Sequence, residues 1–139
     1  LLSAQKRVGD RDYVGALAEL DGLARCLDLE FPSPRLPWRA NLIGVQSAYF
    51  LRDGALAAAC ARVVVDQLNR QARHRIGARL AYASDYVFRL MEHCGGRFGD
   101  QESVFLGLAA DIEAAGVDYD LKGIPKHLEQ QMPLPSVSQ

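Results

Sequence analysis

The sequence lacks the short patterns that most directly indicate a metal protein, an enzyme or a membrane protein. No Cys-x-x-Cys, His-x-x-x-His or Glu-x-x-His spacing occurs, so local sequence brings no two metal ligands together. No apolar run approaches the roughly 18 residues of a membrane span, and the opening residues turn polar too early for a signal peptide. We find no catalytic motif, and we expect a cytoplasmic protein with no cofactor, no metal and no membrane partner.

Cysteine and net charge are also low. The three cysteines, Cys26, Cys60 and Cys94, are odd in number and do not pair at short spacing, which predicts buried thiols in a reducing compartment. The net charge is only −1 at pH 7, so the chain as a whole does not attract polyanions. Locally, five arginines and one aspartate lie within residues 62–79, whereas residues 100–120 contain acids and no base.

What the sequence does contain is helical periodicity. Hydrophobic residues make up 49% of the chain and charged residues 24%, values typical of a globular domain. Apolar side chains recur at three- and four-residue steps, and no stretch alternates with a period of two. The predicted fold is therefore all-α. We expect Gly9 and the Gly95-Gly96 pair to end helices, because glycine readily adopts the left-handed conformation that follows a helix.

Two central segments differ in character. Residues 53–75 predict a long helix with one apolar side and one arginine-rich side. Residues 38–51 are apolar on two sides, which predicts a helix at the centre of a bundle or stack. In that helix Gly44 would allow a neighbouring helix to approach closely.

A short internal repeat accompanies this pattern. The tetrapeptide Gly-Ala-Leu-Ala occurs at 15–18 and again at 54–57, each time near the start of a long helix and after a turn containing aspartate. Around the first copy stand Gly9, Asp10, Tyr13, Ala16, Leu20 and Leu23. Through these residues the sequence resembles the tetratricopeptide repeat family, mainly over residues 9–28. The resemblance implies stacked helical hairpins and a protein-binding scaffold.

We therefore expect a single all-helical domain over residues 1–131, built as an α-α superhelix of stacked antiparallel hairpins. The alternative is a closed bundle of five to six helices, which the same periodicity permits. The hairpins are expected at about 1–29, 38–73 and 76–115, followed by a capping helix within 122–131 and a loose tail at 132–139. The short first helix suggests that further residues precede Leu1, as in one part of a larger protein.

The expected function is non-enzymatic: a protein-interaction or regulatory domain that binds a peptide or helix in a groove formed by the first helices of the hairpins. Tyrosine and arginine are enriched among binding anchors. The contact residues expected at the surface are Tyr49, Arg52, Tyr82, Asp85, Arg89 and His93. Asp85 and Arg89 are four residues apart on one helix and are expected to form an ion pair.

Two other functions remain open. A nucleic-acid-binding regulator would use a basic face made of Arg62, Arg70, Arg73, Arg75 and Arg79. A small-molecule sensor or enzyme would need a pocket in the helical core, near Trp38 and Tyr49. A homo-oligomer is also consistent with the sequence, because an open hairpin stack leaves apolar end faces to cover.

Overall fold

The computed structural model describes residues 1–72 and 78–115, with side chains described for 1–71 and 84–115. The described chain is all-α and contains no strand. The predicted capping helix within 122–131 and the tail at 132–139 lie outside the described residues. The six helices are α1 (Leu2–Gly9), α2 (Tyr13–Cys26), α3 (Trp38–Phe50), α4 (Gly54–Ala72), α5 (Ala78–Arg97) and α6 (Glu102–Ala114).

The chain divides into two compact units, Leu1–Val64 and Val65–Gln139, and the division falls within α4. In the first unit α1 packs against α2, and both pack against α3; in the second unit α5 packs against α6. This pairing of successive helices fits both predicted architectures, the hairpin stack and the closed bundle. The assignment of residues 1–131 to one domain stays a prediction. Among the described residues, no helix is long and apolar enough to cross a membrane.

The core of the first unit is built from small and branched apolar side chains. On α2, the buried residues recur every fourth position, at Ala16, Leu20 and Ala24, which places them on one face of the helix. Alanine at two of these positions lets the neighbouring helices approach closely. The buried cluster consists of Ala4, Ala16, Leu20, Ala24, Leu36, Ala40 and Ile43.

The proline-rich connection between α2 and α3 belongs to this core. Leu36 is buried within the cluster, and Phe31 packs against it. Asn41 fixes the connection from α3: its Nδ2 donates to the Ser33 carbonyl at 2.9 Å, and its Oδ1 accepts from the Ser33 N–H at 3.2 Å. The backbone N–H and carbonyl of Ser33 are buried and have no partner in a helix or sheet. The side chain of Asn41 supplies the hydrogen bonds that they need.

Helix α3 is central, as its two apolar sides predict. Every residue from Ala40 to Tyr49 is buried. A Cβ atom at Gly44 would lie 2.6 Å from Cζ of Phe31 and 2.8 Å from Sγ of Cys60 on α4, distances that real Cβ atoms do not reach. The close helix approach predicted at Gly44 is therefore confirmed.

The second unit has a core of larger side chains. The rings of Phe98 and Phe105 lie 6.0 Å apart at the α5–α6 connection. Asn69 on α4 donates from Nδ2 to the carbonyl of Asp111 on α6, at 3.3 Å. The buried residues of α5 and α6 are Ser84, Tyr86, Val87, Leu90, Met91, Cys94, Phe105, Leu108, Ala109 and Ile112.

Helix α1 ends at Gly9, as predicted, whereas α5 continues through the Gly95-Gly96 pair and ends at Arg97. The left-handed conformation expected of these glycines is not found at any of them. The described non-glycine residues with positive φ are instead Arg11 at 61°, Asp28 at 55° and Arg52 at 59°. A glycine can continue a helix that neighbouring packing holds, so the Gly95-Gly96 pair does not end α5.

Candidate interaction site

The turn between α1 and α2 has a defined hydrogen-bonded geometry. The Arg11 N–H donates to the Val8 carbonyl at 3.1 Å, and the Asp12 N–H donates to the Arg7 carbonyl at 2.7 Å. With Arg11 in the left-handed region, these two bonds make a Schellman motif, in which the last helical carbonyls are satisfied by the turn. Arginine occupies the position where glycine is the usual residue.

The turn between α3 and α4 repeats this geometry. The Arg52 N–H donates to the Tyr49 carbonyl at 3.3 Å, and the Asp53 N–H donates to the Ala48 carbonyl at 3.0 Å. Arg52 is again the left-handed residue, with φ of 59°. The two turns therefore share both their backbone conformation and their Arg-Asp sequence.

The aspartates of both turns cap the helices that follow. Asp12 Oδ1 accepts from the Gly15 N–H at 2.9 Å, and Asp53 Oδ1 accepts from the Leu56 N–H at 3.0 Å. Asp12 also accepts from Nη1 of Arg7 at 2.7 Å through its second oxygen. The Gly15 N–H, and after it Arg7, hold the pKa of Asp12 below its ordinary value because both favour the ionised carboxylate.

Arg7 extends this polar network across the α1–α2 hairpin. Its Nε donates to Oε1 of Glu19 at 2.7 Å, and the Ser3 hydroxyl donates to the same oxygen at 2.7 Å. The hydrogen bond from Arg7, and then that from Ser3, lower the pKa of Glu19; Glu19, and then Asp12, raise the pKa of Arg7. The network joins α1 to α2 and fixes the carboxylate of Asp12 at the turn.

An aromatic stack brings the two turns to the same edge of the first unit. Tyr13, the first residue of α2, and Phe50, the last of α3, have ring centroids 4.6 Å apart and ring planes inclined by 13°. Both side chains are half-buried. Beside them, Val14 is 67% exposed and Leu51 is 40% exposed. We call this surface the turn edge, and its residues are Arg11, Tyr13, Val14, Phe50, Leu51 and Arg52.

The guanidinium groups of the turn edge are free to meet a partner. Arg11 and Arg52 are exposed, and within the described part of the chain neither side chain forms an ion pair or hydrogen bond. The acids that follow them in sequence, Asp12 and Asp53, are held by helix N–H groups. Each arginine also has an exposed aspartate next to it in sequence, Asp10 beside Arg11 and Asp53 beside Arg52.

Of the six predicted contact residues, Tyr49 is placed wrongly. Its side chain is only 1% exposed and packs edge-on against Phe50, with ring centroids 5.2 Å apart. Tyr49 was expected at the surface because the binding groove was placed along α3, but residues 40–49 of this helix are all buried. Arg52, three residues later, is exposed as expected.

The other four predicted residues lie on α5. Asp85 and Arg89 form the expected ion pair, with 3.0 Å between Oδ2 and Nη2, and His93 is half-buried. The side chain of Tyr82 lies outside the described residues. Because the Arg89 guanidinium is engaged by Asp85, it is less available to a partner carboxylate than Arg52. Binding by these residues stays a prediction.

The groove expected along the first helices of the hairpins cannot include the middle of α3. Residues 40–49 expose no side chain there, because neighbouring chain covers the helix on every side. The two apolar sides that make α3 central also remove it from the surface, while a groove elsewhere along the first helices stays a prediction.

The predicted basic face is only partly described. Arg62 and Arg70 are exposed on α4, and Nη2 of Arg70 lies 2.8 Å from Oδ2 of Asp66. Residues 73 and 75 lie outside the described residues, as does the side chain of Arg79. The described portion of α4 therefore combines two positive charges with one negative charge that already pairs with one of them.

Two of the three cysteines are buried and unreactive. Cys60 and Cys94 are fully buried, and burial raises the pKa of each thiol to about 12. Such thiols remain protonated at neutral pH and are poor nucleophiles and metal ligands. Cys26 is exposed. The described residues contain no group of three or more metal-ligating side chains.

Arg11 is the residue that sequence reasoning missed. The Gly-Ala-Leu-Ala copies are offset by 39 residues, but the two turns are offset by 41, as are their Arg-Asp pairs. Under the larger offset the fully buried Ala16 matches the fully buried Ala57. The Arg-Asp repeat was the signal that could have identified Arg11 and Arg52 as equivalent positions.

Comparisons with protein-family models, with curated proteins and with solved structures find no match to this chain.

Proposed function

We propose that the chain is a non-enzymatic protein-interaction domain that binds a peptide segment of a partner protein. The observation that carries the proposal is the turn edge, where two unpaired arginines flank a half-buried aromatic stack. Tyrosine and arginine are the residue types that most often dominate binding energy at interfaces. Arg52 also belongs to the contact set expected from the sequence.

The packing around the turn edge supports a preorganised site. Each turn is closed by two backbone hydrogen bonds and by an aspartate cap, and the stacked rings connect the turns. A surface that is ordered before binding loses less conformational entropy when a partner binds. This favours the turn edge over the middle of α3, which is buried.

The nucleic-acid alternative has weaker support. Arg70 is paired with Asp66, and no described aromatic residue lies among the exposed arginines of α4. An interleaved aromatic side chain is what a single-stranded nucleic acid would stack on.

The proposal is tested by selecting peptides from a random display library on the folded chain. An unrelated helical protein of similar charge serves as the control target. We expect enriched peptides that bind with a Kd on the order of 10 µM by isothermal titration calorimetry, the range of transient recognition. If no sequence is enriched over the control target, the proposed function is wrong.

A further inference from the structure

We propose that the peptide recognised at the turn edge is acidic, with carboxylates that pair with Arg11 and Arg52 and an apolar side chain that lies on the Tyr13–Phe50 stack. This inference rests on the proposed function and adds the chemistry of the partner. It starts from the two arginines, because the turns themselves do not require them.

A left-handed residue at the end of a helix is most favourable when it is glycine. The chain nevertheless has arginine at this position in both turns, with φ of 61° and 59°. Any residue with a Cβ atom is strained there, and arginine has no compensating local hydrogen bond in the described structure. Turn formation therefore does not explain why Arg11 and Arg52 are arginines.

The charge at the edge favours a carboxylate partner. The carboxylates of Asp12 and Asp53 accept hydrogen bonds from the starts of α2 and α4, and Asp12 also pairs with Arg7. The guanidiniums of Arg11 and Arg52 have no such partner. A guanidinium presents paired N–H donors that match the two oxygens of a carboxylate, and this geometry is stronger than a neutral hydrogen bond.

The apolar part of the edge suggests an apolar side chain in the ligand. The stack of Tyr13 and Phe50 joins the two turns, and each arginine is two residues from one of the rings in sequence. Val14 and Leu51, each next to one of the rings in sequence, add exposed aliphatic surface. A segment that carries both acids and apolar residues fits this combination of charge and surface.

The chain supplies variants that separate the charge from the fold. Arg52→Gly and Arg11→Gly remove a guanidinium and also relieve the left-handed strain, so both should raise the melting temperature. Asp28→Gly is the matched control. Asp28 has φ of 55° and the same pair of turn hydrogen bonds, but it follows the other end of α2. Its replacement should raise the melting temperature and leave binding unchanged.

The probe is a fluorescein-labelled twelve-residue peptide in which glutamate alternates with leucine and phenylalanine, compared with the same peptide carrying glutamine at every glutamate. We expect the glutamate peptide to bind at least about tenfold more tightly by fluorescence anisotropy. Arg52→Gly and Arg11→Gly should each weaken its binding about tenfold, because each removes one guanidinium that pairs with a carboxylate. The double variant should bind both peptides equally.

Equal binding of the two peptides to the wild-type chain, or unchanged binding in Arg52→Gly, would overturn the acidic partner. A short DNA duplex that binds more tightly than the glutamate peptide, with the same dependence on Arg52, would overturn it in favour of nucleic acid. If the display library instead enriches peptides without acids, the proposed function stands and this inference fails. If it enriches nothing, both fail.

Discussion

The connections of the two units close their helices by different means. In the first unit, residues 10–12 and 51–53 each use a left-handed arginine and an aspartate cap. In the second unit, α5 leads through Phe98, with ψ of 81°, into the 3-10 turn Gly99–Gln101, and Gln101 gives α6 no side-chain cap. Backbone hydrogen bonds close the connections in both units, but only the two turns of the first unit add a side-chain cap to the helix that follows.

Two buried helix glycines, Gly44 in the first unit and Gly95 in the second, differ in the space around them. Gly44 lies where Phe31 and Cys60 leave no room for a methyl group, while a Cβ at Gly95 would make ordinary contacts of 3.6 Å with Cβ of Phe105. Packing therefore requires glycine at position 44 and only tolerates it at position 95. Identical residues acquire opposite roles from their surroundings, which sequence periodicity does not show.

The largest expected effect comes from the connection held by Asn41. Replacing Asn41 with Ala removes two hydrogen bonds to the buried backbone of Ser33, and we expect a loss of about 2–3 kcal/mol in the free energy of unfolding. Urea denaturation followed by circular dichroism measures it. Ser33→Ala is the control, because it removes only the 3.2 Å bond from the Arg35 N–H to the Ser33 hydroxyl. Equal losses in both variants would contradict the role of Asn41.

The next comparison pairs the two helix glycines. Gly44→Ala should destabilise the chain by about 1–2 kcal/mol, since the new methyl group must displace Phe31 or Cys60. Gly95→Ala should stabilise it by about 0.5–1 kcal/mol, since alanine is the better helix former and space is available. In thermal unfolding, the melting temperature should therefore fall for Gly44→Ala and rise for Gly95→Ala. If both shifts have the same sign, the packing distinction between the glycines is wrong.

A smaller change in stability is expected from the residues that precede α2, α4 and α6, where the first two helices have an aspartate cap and the third has none. Asp12→Ala and Asp53→Ala should each cost about 1 kcal/mol, because each leaves a helix N–H without its carboxylate partner. Gln101→Asp should stabilise the start of α6 by about 0.5 kcal/mol, because that position now has no side-chain cap. Hydrogen exchange at the Gly15, Leu56 and Val104 amides locates each effect. No change in protection at these amides would exclude capping as the cause.

Much of the fold followed from periodicity, and the exceptions have physical reasons. The all-α class, the central position of α3, the close approach at Gly44 and the Asp85–Arg89 pair were all predictable from spacing. The helix end at Gly95 was not, because glycine can continue a helix that packing already holds. The surface position expected of Tyr49 conflicts with the central position of α3, because the two apolar sides of α3 already indicated a helix covered by its neighbours.

The candidate site was less predictable than the fold. Arg52 was expected at the surface, but its link to Arg11 depends on the stacking of Tyr13 and Phe50, residues 37 positions apart. The Gly-Ala-Leu-Ala copies are offset by 39 residues, whereas the two Arg-Asp pairs are offset by 41. The backbone conformation at Arg11 and Arg52 shows that the Arg-Asp pairs occupy the same place in two turns.

The smallest expected effect is a difference in the pH dependence of stability. It compares the Arg7–Asp12–Glu19 network of the first unit with the Asp85–Arg89 pair of the second. The folded pKa values of Asp12 and Glu19 are lowered from ordinary values of 3.8 and 4.5, so their stabilisation is complete above those values and is lost as the pH falls through the folded ones. Arg7→Gln removes the shared partner, so its destabilisation relative to wild type should be constant above about pH 5 and shrink at lower pH. Melting temperatures between pH 7 and pH 2.5 measure this. Arg89→Gln controls for the general loss of one positive charge; a difference for Arg7→Gln that stays constant down to pH 2.5 would show that the carboxylates do not depend on Arg7.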